Sequence, residues 1–224
     1  MPTVVLFDID GTMVKTAGAG RAALDAAVAD VTGVRGALAD VPIAGRTDRA
    51  ILTDALNNAG VAASEQNAVF QRVAEIYLRL LPGQVAATGG TALPGVAELL
   101  AALTAASAIC TIATGNLRGG AEVKLRHFDL WRPGFELGGF GDVSPIRADI
   151  VRAAMRPHID GATSEFVVIG DTPHDISAAS EAGARVIAVA TGNFSSAALT
   201  EAGAGTVFET LAETSAVLRA ILGS

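Results

Sequence analysis

Four short stretches of the chain carry almost unbroken apolar, β-branched side chains: Thr3 to Ile9, Ser107 to Thr114, Glu165 to Ile169 and Arg185 to Ala190. A strand covered on both faces needs apolar residues at successive rather than alternate positions, so these stretches predict buried strands of a parallel sheet. Around the later three, apolar residues recur three and four positions apart over Pro94 to Ala106, Arg118 to Phe128, Arg147 to Met155, Asp175 to Ala182 and Leu211 to Leu222. That is the spacing of helices with one buried face. Strand and helix alternating through short loops define an α/β fold built on a doubly wound parallel sheet.

The rhythm breaks after the first strand. About a hundred residues separate Ile9 from Ser107 and hold no convincing strand, only helical patterns at Arg21 to Val31, Asp48 to Ala59 and Glu65 to Leu81. A βαβ crossover needs far fewer residues, so the chain divides into a core of residues 1–14 and 90–224 and an inserted helical subdomain of residues 15–89. The segments Thr16-Ala17-Gly18-Ala19-Gly20 and Pro82-Gly83 through Thr88-Gly89-Gly90 read as its flexible exits.

Composition narrows the function. Half of the 224 residues are hydrophobic and 17% are charged, which excludes a disordered chain, and only 4% are aromatic, so the core is built from small aliphatic groups. Sixteen basic residues against 23 acidic ones give a net charge of −7, a poor balance for nucleic acid or an anionic membrane. No apolar run approaches the ~20 residues of a membrane span. The single cysteine, Cys110, lies in an apolar run, cannot form an internal disulfide, and reads as a buried small hydrophobe. A soluble, cytoplasmic protein is expected, as monomer or homodimer.

Chemistry gathers at the strand ends. The first strand closes on Asp8-Ile9-Asp10-Gly11-Thr12. Residues two apart on a strand share a face, so Asp8 and Asp10 are expected to present neighbouring carboxylates, which repel unless a cation or shared proton intervenes. Asp-Gly is also an ordinary turn signal, but that does not explain a second acid inside an apolar strand. The second strand closes on Thr114-Gly115-Asn116 before a helical pattern, either an anion cradle or a plain helix start with Asn116 as its cap. The third closes on Gly170-Asp171-Thr172-Pro173-His174-Asp175, where the two acids suit a metal ion and Asp175 also suits a helix cap; His174, with no histidine partner, reads as a loop residue. In open α/β sheets, sites form at the carboxyl ends of strands, and these ends supply acids and a hydroxyl together.

The ordered set Asp8-Ile9-Asp10-Gly11-Thr12, Thr114 and Gly170-Asp171-Thr172-Pro173-His174-Asp175 resembles the haloacid dehalogenase (HAD) superfamily over essentially the whole chain. The helical insert resembles the C1 cap of its phosphoglycolate-phosphatase-like branch. The resemblance implies a Mg²⁺-dependent phosphatase acting on a small phosphorylated metabolite, with phosphoglycolate suggested by cap type. It makes Asp8 the nucleophile that becomes phosphorylated and Asp10 the general acid and base. Mg²⁺ would be held by Asp8, the Asp10 main-chain carbonyl and Asp171, with Asp175 supporting. Thr114, Gly115 and Asn116 would hold phosphate oxygens. The family's lysine between the second and third strand motifs is missing: the matching region reads Phe140-Gly141-Asp142-Val143-Ser144-Pro145-Ile146-Arg147. Arg147 is the candidate replacement, since a guanidinium can bridge carboxylate and phosphate, and Lys124 is the alternative. In the insert, Gly45-Arg46-Thr47-Asp48 opens a helix, with Asp48 as expected cap and Arg46 as a candidate contact to an anionic substrate; Arg21 and Arg49 are weaker candidates.

Rival readings fare worse. Gly18-Ala19-Gly20-Arg21-Ala22-Ala23 fits a loose dinucleotide fingerprint but does not follow a strand directly, and neither lysine sits in a P-loop. The nucleophile elbow of serine hydrolases is absent. A receiver-like phospho-acceptor needs no helical lid, and a dehalogenase lacks the second acid that Asp10 supplies here. A phosphomutase of the same superfamily shares the motifs and stays open.

Overall fold

A computed structural model describes residues 2–159 and 164–223; residues 1, 160–163 and 224 of the expected core lie outside them. Strands β1 (Thr3–Phe7), β4 (Ile109–Ile112), β5 (Glu165–Gly170), β6 (Arg185–Val189) and β7 (Val207–Phe208) form a parallel sheet in the order β4-β1-β5-β6-β7. The chain steps from β1 to β4 on one side, then returns across β1 to β5 on the other. The crevice where that direction reverses opens at the carboxyl ends of β1, β4 and β5.

Successive residues of one strand serve opposite faces. Val5 and Phe7 pack with α4 (Val96–Ala105) and α9 (Thr214–Leu222), whereas Val4 and Leu6 pack with α6 (Arg147–Met155) and α7 (Pro173–Ala182). This two-sided burial is why the strands read as continuous apolar runs. Helix α5 (Arg118–His127) adds Ala121 and Leu125 to the first face, and α8 (Ser196–Glu201) covers β6 through Leu199. Both β7 and α8 escape the sequence analysis, because two and six residues are too short to establish a period. Burial pushes the Cys110 thiol up to about 11, so it stays protonated and unreactive at neutral pH.

The insert consists of α1 (Ala19–Thr32), α2 (Asp48–Asn58) and α3 (Gln66–Thr88), which enclose an apolar cluster of their own around Leu24, Leu52, Val73 and Leu81. The expected break at Pro82 does not occur. The buried stripe Phe70, Val73, Tyr77, Leu81 and Val85 continues past it while Pro82 and Gly83 face solvent, so packing outweighs the hydrogen bond that proline removes. The exits are likewise more ordered than expected: β2 (Val14–Lys15) pairs antiparallel with β3 (Thr91–Ala92), tying the two linkers into one short ribbon. Among the described residues no helix is long and apolar enough to cross a membrane.

Candidate active site

Sheet register brings the motifs together. Phe7 is level with Ile112 on one side and Ile169 on the other, so the residues just beyond them stand side by side. The Asp8 amide donates to the Ile169 carbonyl at 2.9 Å, and the Ala113 amide to the Phe7 carbonyl at 2.9 Å. Gly11, at φ 87°, then turns the chain sharply outward.

Asp8 and Asp10 both line one cavity just past the end of β1, but they make their contacts in different networks. The Asp8 carboxylate meets the Arg147 guanidinium. Arg147 Nη2 lies 2.6 Å from Asp8 Oδ1 and 2.6 Å from Asp175 Oδ1, and all three side chains are buried. Burial works against the charge on Arg147, but Asp175 and Asp8 hold its pKa above the ordinary arginine value. Arg147 is the first residue of α6, and the segment before it is drawn in by Thr114 N–H to Gly139 O (3.1 Å) and Gly141 N–H to Asn116 O (2.7 Å).

The carboxylates that gather are Asp8, Asp171 and Asp175, with one oxygen of each within 4.8 Å of the others. Burial pushes Asp8 up to about 6, against the pull of Arg147. Burial, then Asp8 and Asp175, push Asp171 up to about 8, although the Thr12 hydroxyl donates to its Oδ1 at 3.1 Å. Asp175 is not the helix cap; that is Thr172, whose hydroxyl accepts from the Asp175 amide. Asp175 Oδ2 in turn accepts from the Thr172 amide (3.1 Å) and hydroxyl (2.7 Å). Its two oxygens therefore fix the loop and orient Arg147.

Asp10 belongs to a second network. Its Oδ2 accepts from Lys124 Nζ at 2.6 Å and from Asn116 Nδ2 at 2.8 Å. Asn116 also donates to Thr114 Oγ1 at 2.8 Å and accepts from Lys124 at 2.5 Å. Asn116 is thus no helix cap; Leu117 occupies that position in α5 and Asn116 turns inward. Lys124, the alternative cation in the sequence, is only 4% exposed.

From the insert, residues 43–48 lie against these loops. The Asp48 amide donates to the Gly115 carbonyl at 2.7 Å, and Asp48 Oδ2 accepts from the Leu117 amide at 2.8 Å. Thr47, rather than Asp48, caps α2. Burial pushes Asp48 up to about 6, partly offset by Lys124. The Arg46 guanidinium is engaged within the insert, by Asp54 at 2.8 Å and the Pro42 carbonyl at 3.1 Å. Arg21 holds the Leu38 and Ala39 carbonyls, while Arg49 donates to the Asp142 carbonyl and stacks on Phe70. A cavity of about 520 Å³ lies between insert and sheet, and it is lined by both networks. Two lining residues, Tyr77 and Gly192, were not singled out in the sequence. Tyr77 is one member of an apolar helical stripe and Gly192 an unremarkable loop glycine, so no local signal marks either.

The donors fit a hard divalent cation. Three buried carboxylates offer only oxygen ligands and negative charge, and a bound cation relieves their mutual repulsion.

The chain belongs to the haloacid dehalogenase-like hydrolases, whose family model matches residues 2–183. Among solved structures it is similar to a hydrolase from Pseudomonas syringae (24% identity, 99% of each chain, TM-score 0.69). It is also similar to a predicted phosphatase from Clostridium acetobutylicum (19% identity, 98% of this chain and 99% of the other, TM-score 0.68). A third is a candidate β-phosphoglucomutase from Thermotoga maritima (24% identity, 97% of this chain and 99% of the other, TM-score 0.62). These likenesses establish a shared fold. No curated protein matches the chain.

Proposed function

We propose that the protein is a Mg²⁺-dependent phosphatase that hydrolyses a small phosphomonoester through a phosphorylated Asp8. The observation that carries this reading is the Arg147 bridge. A buried nucleophile-type carboxylate is held at 2.6 Å by a guanidinium, between the strand ends that lead into Thr114 on one side and Asp171 on the other. Asp8 attacks phosphorus in line, its new P–O bond replacing the bond to the substrate alcohol, while Asp10 gives its proton to the departing oxygen. Water, deprotonated by Asp10, then attacks phosphorus and breaks the bond to Asp8, releasing inorganic phosphate. Arg147 and the amides after Thr114 neutralise the equatorial oxygens throughout. Asp8, the Asp10 carbonyl and Asp171 are the residues that would hold Mg²⁺, which when bound offsets charge on the phosphoryl group. The inserted helices act as the cap that excludes water.

Hydrolysis of an aryl phosphate, with Mg²⁺ and with excess chelator, tests this. Metal-dependent phosphate release that Asp8→Asn eliminates is the expected result. No release with any divalent ion overturns it. Return of the phosphoryl group to a second hydroxyl of the product, instead of to water, would identify a phosphomutase.

A further inference from the structure

The end of the cavity beyond Asp10 is lined by Asp48, Tyr77 and Lys124 on a wall of Leu24, Ile51 and Gly20. We propose that this end binds a neutral, hydroxyl-bearing leaving group, so that the substrate is a polyol or sugar phosphate and not a phosphorylated carboxylic acid such as phosphoglycolate. The proposal rests on the phosphatase reading above, which places the ester oxygen beside Asp10.

Three polar groups converge here with capacity to spare. The Tyr77 side chain is 1% exposed, yet its hydroxyl makes no hydrogen bond among the described residues. Burial raises its pKa well above the ordinary value, so it stays a protonated donor. Asp48 is also buried; Oδ2 serves the Leu117 amide, and Oδ1 has no donor among the described residues. Lys124 has three N–H donors and spends two, on Asp10 and Asn116. A phenol donor, a carboxylate acceptor and an ammonium donor match alternating hydroxyl groups. Leaving such buried groups unsatisfied costs affinity, so a ligand without hydroxyls is disfavoured.

Charge argues the same way. In phosphoglycolate the carboxylate is attached directly to the esterified carbon, so it must enter this end. There it meets the carboxylates of Asp10 and Asp48 and the cation Lys124, already paired at 2.6 Å, while Lys15, which also lines the cavity, is an exposed residue of the β2–β3 ribbon. The arginines that could have received it are engaged elsewhere: Arg147 with Asp8 and Asp175, Arg46 with Asp54, and Arg21 with two carbonyls.

The test compares kcat/KM for glycerol phosphate, a hexose 6-phosphate and phosphoglycolate, with an aryl phosphate as reference. The wild-type protein is expected to favour the better hydroxylated substrate over phosphoglycolate by ~10²-fold or more. Tyr77→Phe should lower the ratio of hydroxylated to aryl substrate by ~5- to 10-fold. Asp48→Asn keeps an acceptor for Leu117, and should shift the ratio toward phosphoglycolate by ~10-fold. Equal or better use of phosphoglycolate, or ratios that neither variant moves, would overturn the proposal. Calorimetric titration of the Asp8→Asn protein with the same compounds separates the two levels. If the wild-type protein hydrolyses nothing, a preference of the Asp8→Asn protein for the hydroxylated phosphates would retain this subsite and reject the phosphatase reading, and no preference would reject the subsite.

Discussion

Lys124 Nζ stands 2.6 Å from Asp10 Oδ2, a contact between residues 114 positions apart. Where the sequence offered Arg147 or Lys124 as the cation of one site, both reach the cavity with different partners. Arg147 faces the acid that would be phosphorylated, and Lys124 faces the acid that would move the proton. Lys124→Met should therefore leave Asp10 held by Asn116 alone and lower kcat on an aryl phosphate by ~10- to 10²-fold. Lys124→Arg should recover little, because a planar guanidinium does not reproduce the ammonium's paired contacts to Asp10 and Asn116. Wild-type kcat in either variant would separate Lys124 from the chemistry.

Removing the other cation should be more damaging. Arg147→Ala exposes Asp8 and Asp175 to each other across a buried space, and it removes the fork that would hold the phosphoryl group. Steady-state kinetics should record a loss of ~10²- to 10³-fold in kcat/KM, and breaking a buried pair should lower stability by roughly 3–5 kcal/mol. Arg147→Lys restores the charge but not the planar, many-donor head, so partial recovery is expected.

Asp8→Asn should abolish phosphate release while the circular dichroism spectrum stays that of the folded protein, since the amide is nearly isosteric. Turnover in this variant would remove Asp8 from the nucleophile's role.

Acidity offers an independent handle. The carboxyls of Asp8, Asp48 and Asp171 are raised from 3.8 to about 6, 6 and 8 in the folded protein. Between pH ~4 and ~8 the folded state therefore binds more protons than the unfolded one, and stability falls as pH rises through that window. In chelator, the Tm should drop from pH 5 to pH 8. Mg²⁺ should flatten the upper part of that decline by binding ionised Asp8 and Asp171. A Tm that rises with pH, or ignores Mg²⁺ at pH 8, would contradict the arrangement of these acids.

Gly192 lies so close to Asp171 that an added Cβ would collide with its carboxylate. Gly192→Ala should displace Asp171 and raise the Mg²⁺ concentration for half-maximal activity by ~10-fold or more. An unchanged Mg²⁺ dependence would mean that Asp171 contributes little to metal binding.

Much of this was legible in the sequence because it is local. Continuous apolar runs mark strands covered on both faces, and acids or hydroxyls at their ends mark where a site must open, since parallel strands end together. Asp8, Thr114 and Asp171 follow from those rules, whereas Arg147 follows from the resemblance, as the replacement for a missing lysine. What tertiary structure alone decided are the relations across the chain. Asp8 and Asp10 line one cavity yet pair with separate cations, Arg147 and Lys124. The packing of α5 buries Lys124, a residue with the periodicity of a surface helix, against Asp10. The stripe of α3 runs on through Pro82 because its neighbours repay the missing hydrogen bond, and it carries Tyr77 to the cavity wall. Arg46 looks like a ligand in sequence, yet it turns to Asp54, about two helical turns further along its own subdomain. Spacing along a chain fixes which residues can share a face, but partners brought from distant segments decide which charges meet.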